Sequence, residues 1–425
     1  MKPVVISILL FIALAFNAFS QHVKVETWYD SKKLVIKERY FVLKKSPQIV
    51  DSLYTSYFQN GNINTTGNYV KNQPEGHWKY YYENGNLKME GELKNGVPVG
   101  KWKYYYENGN INMEGMLDKA GREGEWVFYF ENGNEKSKGQ YKKDKKEGTW
   151  KYFFEDGEFK AQAVFENDKG KYVEWYPNGN KKSEGLIIDG KSNGVWKYYY
   201  EDGTLKAEGT EKNGVKNGKW KFYHPNGQIA SEGEYDNGLE EGNWKHYHDN
   251  GVLSAEGVEK EGKKNGYWKL YYKDGNFKGE GNFVDGSGQY KEYYESGKLK
   301  VEGYVKNEKN DGKWNYFYED GKLEGTCFFN NGVGKYTGYY QNGKLKMEGT
   351  IEDGKKVGIW KLYNEDGELA GYYKTYYEND VPVFTKVEDQ KVTHSGDSAT
   401  ARIPRMIIPK KKSRHFTRKV NEFNG

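Results

Sequence analysis

Aromatic, charged and glycine positions recur along this chain with a fixed period. The sequence "GHWKYYYENGNLKMEG" begins at Gly76, and close copies begin at Gly100 ("GKWKYYYENGNINMEG") and Gly194 ("GVWKYYYEDGTLKAEG"). Thirteen such units start at a glycine that lies two residues before a Trp or Tyr, and a looser unit begins at Ser52. The step between units is 24 residues, except for three steps of 22. A period of this length indicates a repeat array.

Each unit has the pattern of one β-hairpin. The dipeptide Asn84-Gly85 is a strong signal for a two-residue turn, because both central residues of a type I′ turn need positive φ. With this loop, the predicted register places Trp78 opposite Gly91, where the ring covers bare backbone. One face of the hairpin is then apolar. That face is predicted to hold Trp78, Tyr80, Tyr82, Leu87 and Met89.

The opposite face of the hairpin is predicted to be charged. It carries Lys79 opposite Glu90, a pair of opposite sign that stabilises the two strands. A single hairpin cannot bury its apolar face, so neighbouring hairpins must continue one meander. The sequence therefore predicts an all-β fold, an elongated antiparallel β-hairpin repeat array in a single twisted meandering sheet.

The predicted organisation of the chain has four parts. Residues 1–20 form a signal peptide, and residues 21–51 form capping strands. Residues 52–375 form fourteen hairpin repeats, and residues 376–425 form a basic, disordered tail. From Lys386 to Gly425 there are ten Lys or Arg residues and four Asp or Glu residues, so this end of the chain is positively charged.

Each 22-residue step leads to a unit with Tyr in the Trp position. A unit that follows a 22-residue step is called a 22-residue repeat, and a unit that follows a 24-residue step is called a 24-residue repeat. Tyr172, Tyr290 and Tyr336 replace the Trp of the 24-residue repeats. We interpret the missing residues as a shortened loop and expect the longer loop to cover the Trp. On this interpretation, truncating Trp150 costs more stability than truncating Tyr290.

The first twenty residues have the pattern of a secretory signal. Lys2 precedes the apolar run "VVISILLFIALAF", and small residues lie before Gln21. Thirteen apolar residues are fewer than the roughly 20 that span a bilayer, which favours cleavage over a membrane anchor. The sequence predicts an exported protein, located in the periplasm, on the outer-membrane surface or outside the cell.

Composition narrows the choice of partner. Aromatic residues make up 17% of the chain and charged residues 30%, and the mean hydropathy is -1.03. Aromatic rings must therefore supply most of the buried area. Between Ser52 and Lys374 the single arginine is Arg122. Because arginine is the preferred phosphate ligand, this scarcity argues against nucleic acid as a partner.

The repeat resembles the bacterial variant of the MORN repeat. The shared pattern is "G-x-W-K-x-Y-Y-x-N-G-x-x-K-x-E-G" over about residues 52–375. The resemblance implies a non-catalytic hairpin array that binds proteins or membranes, and some relatives carry an antitoxin label. A weaker resemblance, to cell-wall-binding repeats rich in Gly, Trp and "YY", implies glycan binding through aromatic rings.

We find no constellation typical of an enzyme and no cofactor motif. Cys327 occupies a position that is Gly in other units, which indicates a small buried residue. The histidines His224, His246 and His248 replace Tyr or Phe and are weak candidates for metal ligands, since no fourth ligand accompanies them. The paired carboxylates recur in every unit, as expected of a solvated face.

The sixth residue of all thirteen units is aromatic and falls on the charged face. Such a ring either packs between lysine stems or belongs to a binding surface. As candidate binding residues we take Tyr81, Tyr105, Tyr129, Tyr199, Tyr223, Tyr247 and Tyr271. The leading hypothesis is a scaffold that binds a protein at the cell envelope. The alternatives are a glycan-binding protein and an antitoxin-like inhibitor, and the basic tail adds a candidate contact with a membrane surface.

Overall fold

The computed structural model describes residues 21–378, 381–388 and 391–394, and the predicted signal peptide lies outside these ranges. The described residues contain 32 β-strands and no helix. They divide into two compact units, one up to Lys191 and one from Ser192 onward. Within each unit, every strand pairs antiparallel with the next strand in the chain. The predicted all-β antiparallel hairpin array is confirmed.

The first unit contains strands β1 to β14. Their bounds are β1 His22–Trp28, β2 Ile36–Leu43, β3 Ser46–Tyr57, β4 Ile63–Val70, β5 Gln73–Tyr81, β6 Leu87–Lys94, β7 Val97–Tyr105, β8 Ile111–Asp118, β9 Gly121–Tyr129, β10 Glu135–Lys142, β11 Lys145–Phe153, β12 Phe159–Glu166, β13 Lys169–Trp175 and β14 Lys181–Ile188.

The second unit begins with β15. The bounds are β15 Lys191–Tyr199, β16 Leu205–Lys212, β17 Val215–Tyr223, β18 Ile229–Asp236, β19 Leu239–Tyr247, β20 Leu253–Lys260, β21 Lys263–Tyr271, β22 Phe277–Val284, β23 Ser287–Tyr293, β24 Leu299–Lys306, β25 Lys309–Phe317, β26 Leu323–Asn330, β27 Val333–Tyr339, β28 Leu345–Glu352, β29 Lys355–Tyr363, β30 Leu369–Glu378, β31 Val381–Glu388 and β32 Lys391–His394. The last three strands include residues 376–378, 381–388 and 391–394, which fall in the range where the sequence predicts a disordered tail. Residues 395–425 lie outside the described part of the chain.

The loop of each hairpin has three residues, not the predicted two. The Tyr82 N–H donates to the Asn86 carbonyl at 2.8 Å, and the Gly85 N–H donates to the Tyr82 carbonyl at 3.0 Å. Positive φ falls on Gly85 (91°), which makes the loop a type I turn followed by a bulged glycine. The type I′ turns join one repeat to the next, as at Asn95-Gly96, where φ is 52° and 78°.

This turn geometry changes one face assignment. Trp78 pairs with Gly91, Tyr80 with Met89 and Lys79 with Glu90, as predicted. The register then shifts, so that Tyr81 pairs with Leu87. Because paired residues lie on the same side of a sheet, Leu87 joins Tyr81 on the charged face and not the Trp face, where the sequence predicts it.

The two repeat lengths differ in a strand and not in a loop. In a 24-residue repeat, Lys138 pairs with Lys151 but Gln140 pairs with Glu147, so β11 carries two extra residues as a bulge. In a 22-residue repeat, β12 and β13 pair without any shift. Both kinds of repeat share the same two-residue type I′ turn. The predicted cover of the Trp by a longer loop is therefore wrong.

The Trp face forms a ladder of rings in each unit. In the first unit, Trp78, Tyr80, Trp102 and Tyr104 follow one another with ring centroids 6.2 to 6.4 Å apart. Nine of the Trp rings lie over a glycine of the preceding strand. A Cβ added to Gly67 would lie 2.2 Å from the Trp78 ring. The ring thus covers the glycine before it, and not the Gly91 that pairs with it in the hairpin.

Candidate functional site

The second face of the sheet carries an apolar stripe. We use this name for the sixth residue of each repeat together with the residue that pairs with it across the hairpin. In the first unit the apolar pairs are Tyr57–Ile63, Tyr81–Leu87, Tyr105–Ile111 and Phe153–Phe159. In the second unit they are Tyr199–Leu205, Tyr223–Ile229, Tyr247–Leu253, Tyr271–Phe277, Tyr293–Leu299, Phe317–Leu323, Tyr339–Leu345 and Tyr363–Leu369.

All seven candidate binding residues lie in the apolar stripe, and all are half-buried. The structure brings Tyr81, Tyr105 and Tyr129 onto one face of the first unit, and it places the other four on one face of the second. In the first unit the stripe is interrupted by polar partners, because Tyr129 pairs with Glu135 and Trp175 pairs with Lys181. The longest uninterrupted stripe is therefore in the second unit.

The rings of the stripe touch their neighbours along the array. The Phe277 ring lies 6.3 Å from the Tyr271 ring within its hairpin, and it lies 5.6 Å from the Tyr293 ring of the next repeat. Phe277 nevertheless keeps 40% of its surface exposed. Sequence reasoning missed this residue and its equivalents, because the bulge that turns them onto this face leaves no signal beyond the Asn-Gly turn itself.

The tyrosine hydroxyls of the stripe are bonded within the chain. Tyr223 donates to Glu208 at 2.8 Å and Tyr247 donates to Glu232 at 2.9 Å, each acceptor lying in the preceding hairpin. The same carboxylates face lysines, as in the Lys197–Glu208 pair at 3.8 Å. The polar ends of the rings are satisfied, and the ring surfaces remain available for contact.

These bonds also fix the protonation of the tyrosines. Burial, with help from the Glu208 carboxylate, raises the pKa of Tyr223 to about 12. Burial and Glu232 raise the pKa of Tyr247 to about 12 in the same way. At neutral pH both hydroxyls are therefore protonated hydrogen-bond donors, which suits a fixed surface and not an acid-base group.

The three candidate histidines have separate structural roles. His224 and His248 point their Nε2 atoms at the carbonyls of Tyr247 and Tyr271, each at 3.0 Å. In other repeats a tyrosine hydroxyl makes this contact with the next repeat. His246 lies in the ring ladder, 6.0 Å from the Trp244 ring. Within the described ranges, no group of three or more His, Cys, Asp or Glu side chains is arranged to hold a metal ion.

Cys327 lies in the core of the Trp face. It pairs with Trp314 on one side and with Tyr336 on the other, and its side chain is fully buried. Burial raises the pKa of its thiol to about 12. A protonated, inaccessible thiol is a packing residue and not a nucleophile.

Buried cations on the Trp face were not predicted from the sequence. The Lys216 Nζ lies 4.5 Å from the ring centroids of Trp220 and Phe222, and the Lys146 Nζ lies 4.6 Å from that of Trp150. Burial lowers the pKa of each amine to about 8. Both lysines stand two residues before the first glycine of a 24-residue repeat. That position varies among Pro, Arg, Lys, Ser, Glu and Asn, so it gives a weak signal.

Two of the three 22-residue repeats bury a carboxylate, Glu174 or Glu292, where most other repeats have a ring, and the third has Gly338. Glu292 is enclosed on the Trp face and accepts a hydrogen bond from the Tyr290 hydroxyl at 3.1 Å. The amines of Lys300 and Lys278 lie 3.4 and 4.0 Å from it. A buried charge with three partners supports the local fold, and the apolar stripe on the other face remains the candidate site.

Comparisons with known proteins identify the repeat. The family model described as the MORN repeat variant matches eleven segments that together cover more than half of the chain. The matched residues are 74–95, 98–118, 122–143, 146–167, 169–189, 192–213, 216–237, 240–258, 287–307, 310–331 and 333–353. The other repeats of the predicted fourteen, which start at Ser52, Gly266 and Gly358, are not matched, although each forms a paired hairpin.

Solved structures resemble the chain only distantly. A crystal structure of TcdB2-TccC3-Cdc42 is 11% identical with a TM-score of 0.14, and its match covers 83% of this chain and 23% of the other. A crystal structure of TcdB2-TccC3-TEV is 10% identical with a TM-score of 0.13, covering 86% and 26%. The chain thus spans about a quarter of the structures it matches. No curated protein matches the sequence. In the part of the chain that the structure describes, no helix could span a membrane.

Proposed function

Because the chain belongs to the MORN repeat variant family, we propose that it is an exported, non-catalytic scaffold that binds a protein partner at the cell envelope. The family is a family of repeat scaffolds that commonly bind proteins or membranes and generally lack catalysis. The apolar stripe of the second unit is the proposed contact surface.

The proposal is supported mainly by the composition of the apolar stripe. Along the second unit, rings and aliphatic side chains alternate as a half-exposed stripe, and the tyrosine hydroxyls are already bonded to glutamates of the same chain. Such a surface offers apolar area without unsatisfied polar groups. Exposed apolar patches bordered by charges are typical of protein interfaces.

The hydrogen bonds of the tyrosine hydroxyls also favour a protein over a glycan as the partner of the stripe. A sugar is bound by stacking on rings and by hydrogen bonds from nearby carboxylates and hydroxyls. Here Glu208 and Glu232 are engaged by tyrosines and lysines, so a sugar would have to displace them. We expect soluble cell-wall sugars to leave the tryptophan and tyrosine fluorescence unchanged. Saturable quenching by a sugar would favour glycan binding instead.

Export rests on the sequence of residues 1–20. We expect the mature protein to begin at Gln21, after the small residues that end the apolar run. N-terminal sequencing of the protein isolated from its own cells tests this. A cytosolic protein that retains Met1 would contradict it.

The binding surface is tested with two matched variants. Leu253→Ser with Phe277→Ser removes apolar area from the stripe, and Val215→Ser with Leu239→Ser removes similar area from exposed positions outside it. We expect the stripe variant to lose capture of the envelope partner after crosslinking, and the control variant to keep it. Circular dichroism checks that both remain folded.

A third variant tests the basic tail. Deleting residues 395–425 leaves the strands β30 to β32 intact and removes eight of the ten Lys and Arg residues between Lys386 and Gly425. We expect this variant to capture the partner normally. If the tail deletion abolishes capture while the stripe variant still captures the partner, the tail is the contact. Salt-sensitive binding to an acidic membrane surface then explains the capture better.

A further inference from the structure

A row of alternating charges runs beside the apolar stripe in the second unit. Each member lies directly opposite the next across a strand pair, from β15 to β24. We call this the charge row. Its ten residues are Lys197, Glu208, Lys221, Glu232, Lys245, Glu256, Lys269, Glu280, Lys291 and Glu302.

Among the described residues, an alternating row of this length occurs in the second unit alone. In the first unit the alternation runs from Lys79 to Glu114 and ends at Val127. The lysines of the charge row, such as Lys221 and Lys245, extend from the sheet, and the Lys221 amine lies 3.6 Å from Glu232. Nine strand spacings of about 4.8 Å give the row a length of about 43 Å.

A row of this kind is complementary to itself under one symmetry. Consider two copies packed face to face and related by a twofold axis that lies between them, parallel to the strands. This axis reverses the order of the strands in the second copy, and it places the charge row of one copy opposite the charge row of the other. An axis through a strand places like charges together. An axis midway between two strands places every lysine opposite a glutamate. When it lies between Lys245 and Glu256, at the centre of the row, all ten charges are matched.

We propose that the surface of the second unit binds a second copy of this chain, face to face, about this twofold axis between β19 and β20. The proposal rests on the proposed function, because it names the protein that covers the apolar stripe. In the pair, the stripe of one copy packs on the stripe of the other. Lys245 then faces Glu256 of the other copy, and Lys197 faces its Glu302.

Sheet packing supports this arrangement. Two sheets pack face to face about 10 Å apart when their strands are nearly aligned, as the strand-parallel axis requires. The half-exposed rings supply apolar contact, and the hydroxyls need no new partner because Glu232 and Glu256 already accept them from Tyr247 and Tyr271. The charge row then fixes the register, because a slip by one strand moves the axis onto a strand and places like charges opposite each other.

Charge reversal tests the pairing. The acidic variant carries Lys221→Glu and Lys269→Glu, and the basic variant carries Glu232→Lys and Glu280→Lys. In a pair of identical variants the new residues meet like charges, whereas in a mixed pair every charge is matched. By analytical ultracentrifugation, we expect the parent to be a dimer and each variant to dimerise about 100-fold more weakly. We expect the equimolar mixture to recover the dimer.

A control and a second measurement keep the test independent of folding. Lys79→Glu with Lys103→Glu makes the same charge change in the first unit and is expected to leave the dimer unchanged. A short bismaleimide should join Lys197→Cys of one copy to Glu302→Cys of another when two singly substituted proteins are mixed. Two copies of the Lys197→Cys protein should not be joined, because the axis separates those positions.

The outcomes separate this inference from the proposed function. A parent that stays monomeric at about 100 µM, or a dimer that both reversals leave intact, overturns the pairing. If the parent is monomeric and still captures an envelope protein through Leu253 and Phe277, the proposed function stands alone. If the dimer forms as described and no other protein is captured, the dimer stands and the proposed envelope partner does not.

Discussion

At the scale of single residues, one Cβ atom decides which ring a repeat can carry. A Cβ on Gly257 would lie 2.2 Å from the Trp268 ring, far inside van der Waals contact. Where another repeat follows, the chain places a larger residue at this position twice, and each time the next strand has Tyr in place of Trp. Ala163 pairs with Tyr172, and Cys327 pairs with Tyr336. The glycine and the indole are therefore coupled.

This coupling gives the first prediction. Gly257→Ala is expected to lower the free energy of unfolding of its region by about 2 kcal/mol, because the methyl group displaces the Trp268 ring. Adding Trp268→Tyr is expected to restore part of that loss, although Trp268→Tyr alone is destabilising. Urea unfolding of the single and double variants measures the interaction. Additive losses would contradict the coupling.

The sequence indicated part of this arrangement. The pairing of Trp78 with Gly91 followed from the turn and the alternation, and the structure has it. The pattern could not show which of two flanking glycines the ring covers. That choice depends on the side-chain torsion and on the twist between strands, and the same glycine faces a Trp on both sides, as Gly115 faces Trp102 and Trp126.

The second residue-scale prediction concerns Lys146. Burial lowers the pKa of its amine to about 8, whereas an unfolded lysine titrates near 10.5. Below pH 8 the folded protein must hold a charged amine that the unfolded chain solvates better. Folding is therefore penalised at pH 7, and stability is gained as the pH rises through 8 towards 10.5.

Replacing the amine should remove that dependence. Lys146→Met is expected to raise the free energy of unfolding at pH 7 by about 2 kcal/mol. This gain is smaller than the free energy that corresponds to the full pKa shift, because the variant loses the contact between the amine and the Trp150 ring. At pH 9.5 the difference from the parent should nearly vanish. Lys151→Met, at an exposed position of the same strand, should show no such change between the two pH values. A constant difference would contradict the assignment.

At the scale of the element, the two-residue bulge separates the repeat types. The first glycine of a 24-residue repeat lies in the bulge with positive φ, as at Gly266 (64°), and a Cβ there meets nothing within 4 Å. The equivalent glycine of a 22-residue repeat lies in a regular strand. A Cβ on Gly288 would lie 1.8 Å from the Asn282 carbonyl oxygen. One alignment position thus requires glycine for two different reasons.

Alanine substitution distinguishes these reasons and gives the third prediction. Gly266→Ala is expected to cost about 1 kcal/mol, which is the strain of positive φ in a residue with a Cβ. Gly288→Ala is expected to cost about 3 kcal/mol or more, because the strand must move away from a backbone atom. Urea unfolding measures both. Equal losses would show that the bulge and the regular strand tolerate a side chain alike.

The elements were easier to predict from the sequence than their connections. Strands, their alternation and the repeat boundaries follow from the period of 24 residues. The same Asx-Gly dipeptide forms a three-residue loop at Asn84-Gly85 and a type I′ turn at Asn95-Gly96. Local composition does not distinguish the two. The bulge at Leu87, and with it the apolar half of the candidate site, was therefore beyond the sequence pattern.

At the scale of the whole molecule, stability is local within each unit. Every strand pairs only with its neighbours in the chain, so no repeat contacts a distant one through the strand ladder. Arrays of this kind unfold in segments, and a single melting temperature averages them. Hydrogen exchange resolves the segments and suits the comparison of Trp150 with Tyr290.

The structure revises the expected difference between these two residues, which is the fourth prediction. Trp150 is fully buried and Tyr290 is 2% exposed, so the shorter repeat does not leave its ring uncovered. Tyr290 also donates to the buried Glu292, which would lose a partner. We expect Trp150→Ala and Tyr290→Ala each to cost about 3 kcal/mol or more. Protection should fall in β10 to β13 for the first variant and in β22 to β25 for the second, and remain elsewhere. A smaller loss around Tyr290 would contradict the equal burial of the two rings, and a loss spread over both units would contradict the local stability of the array.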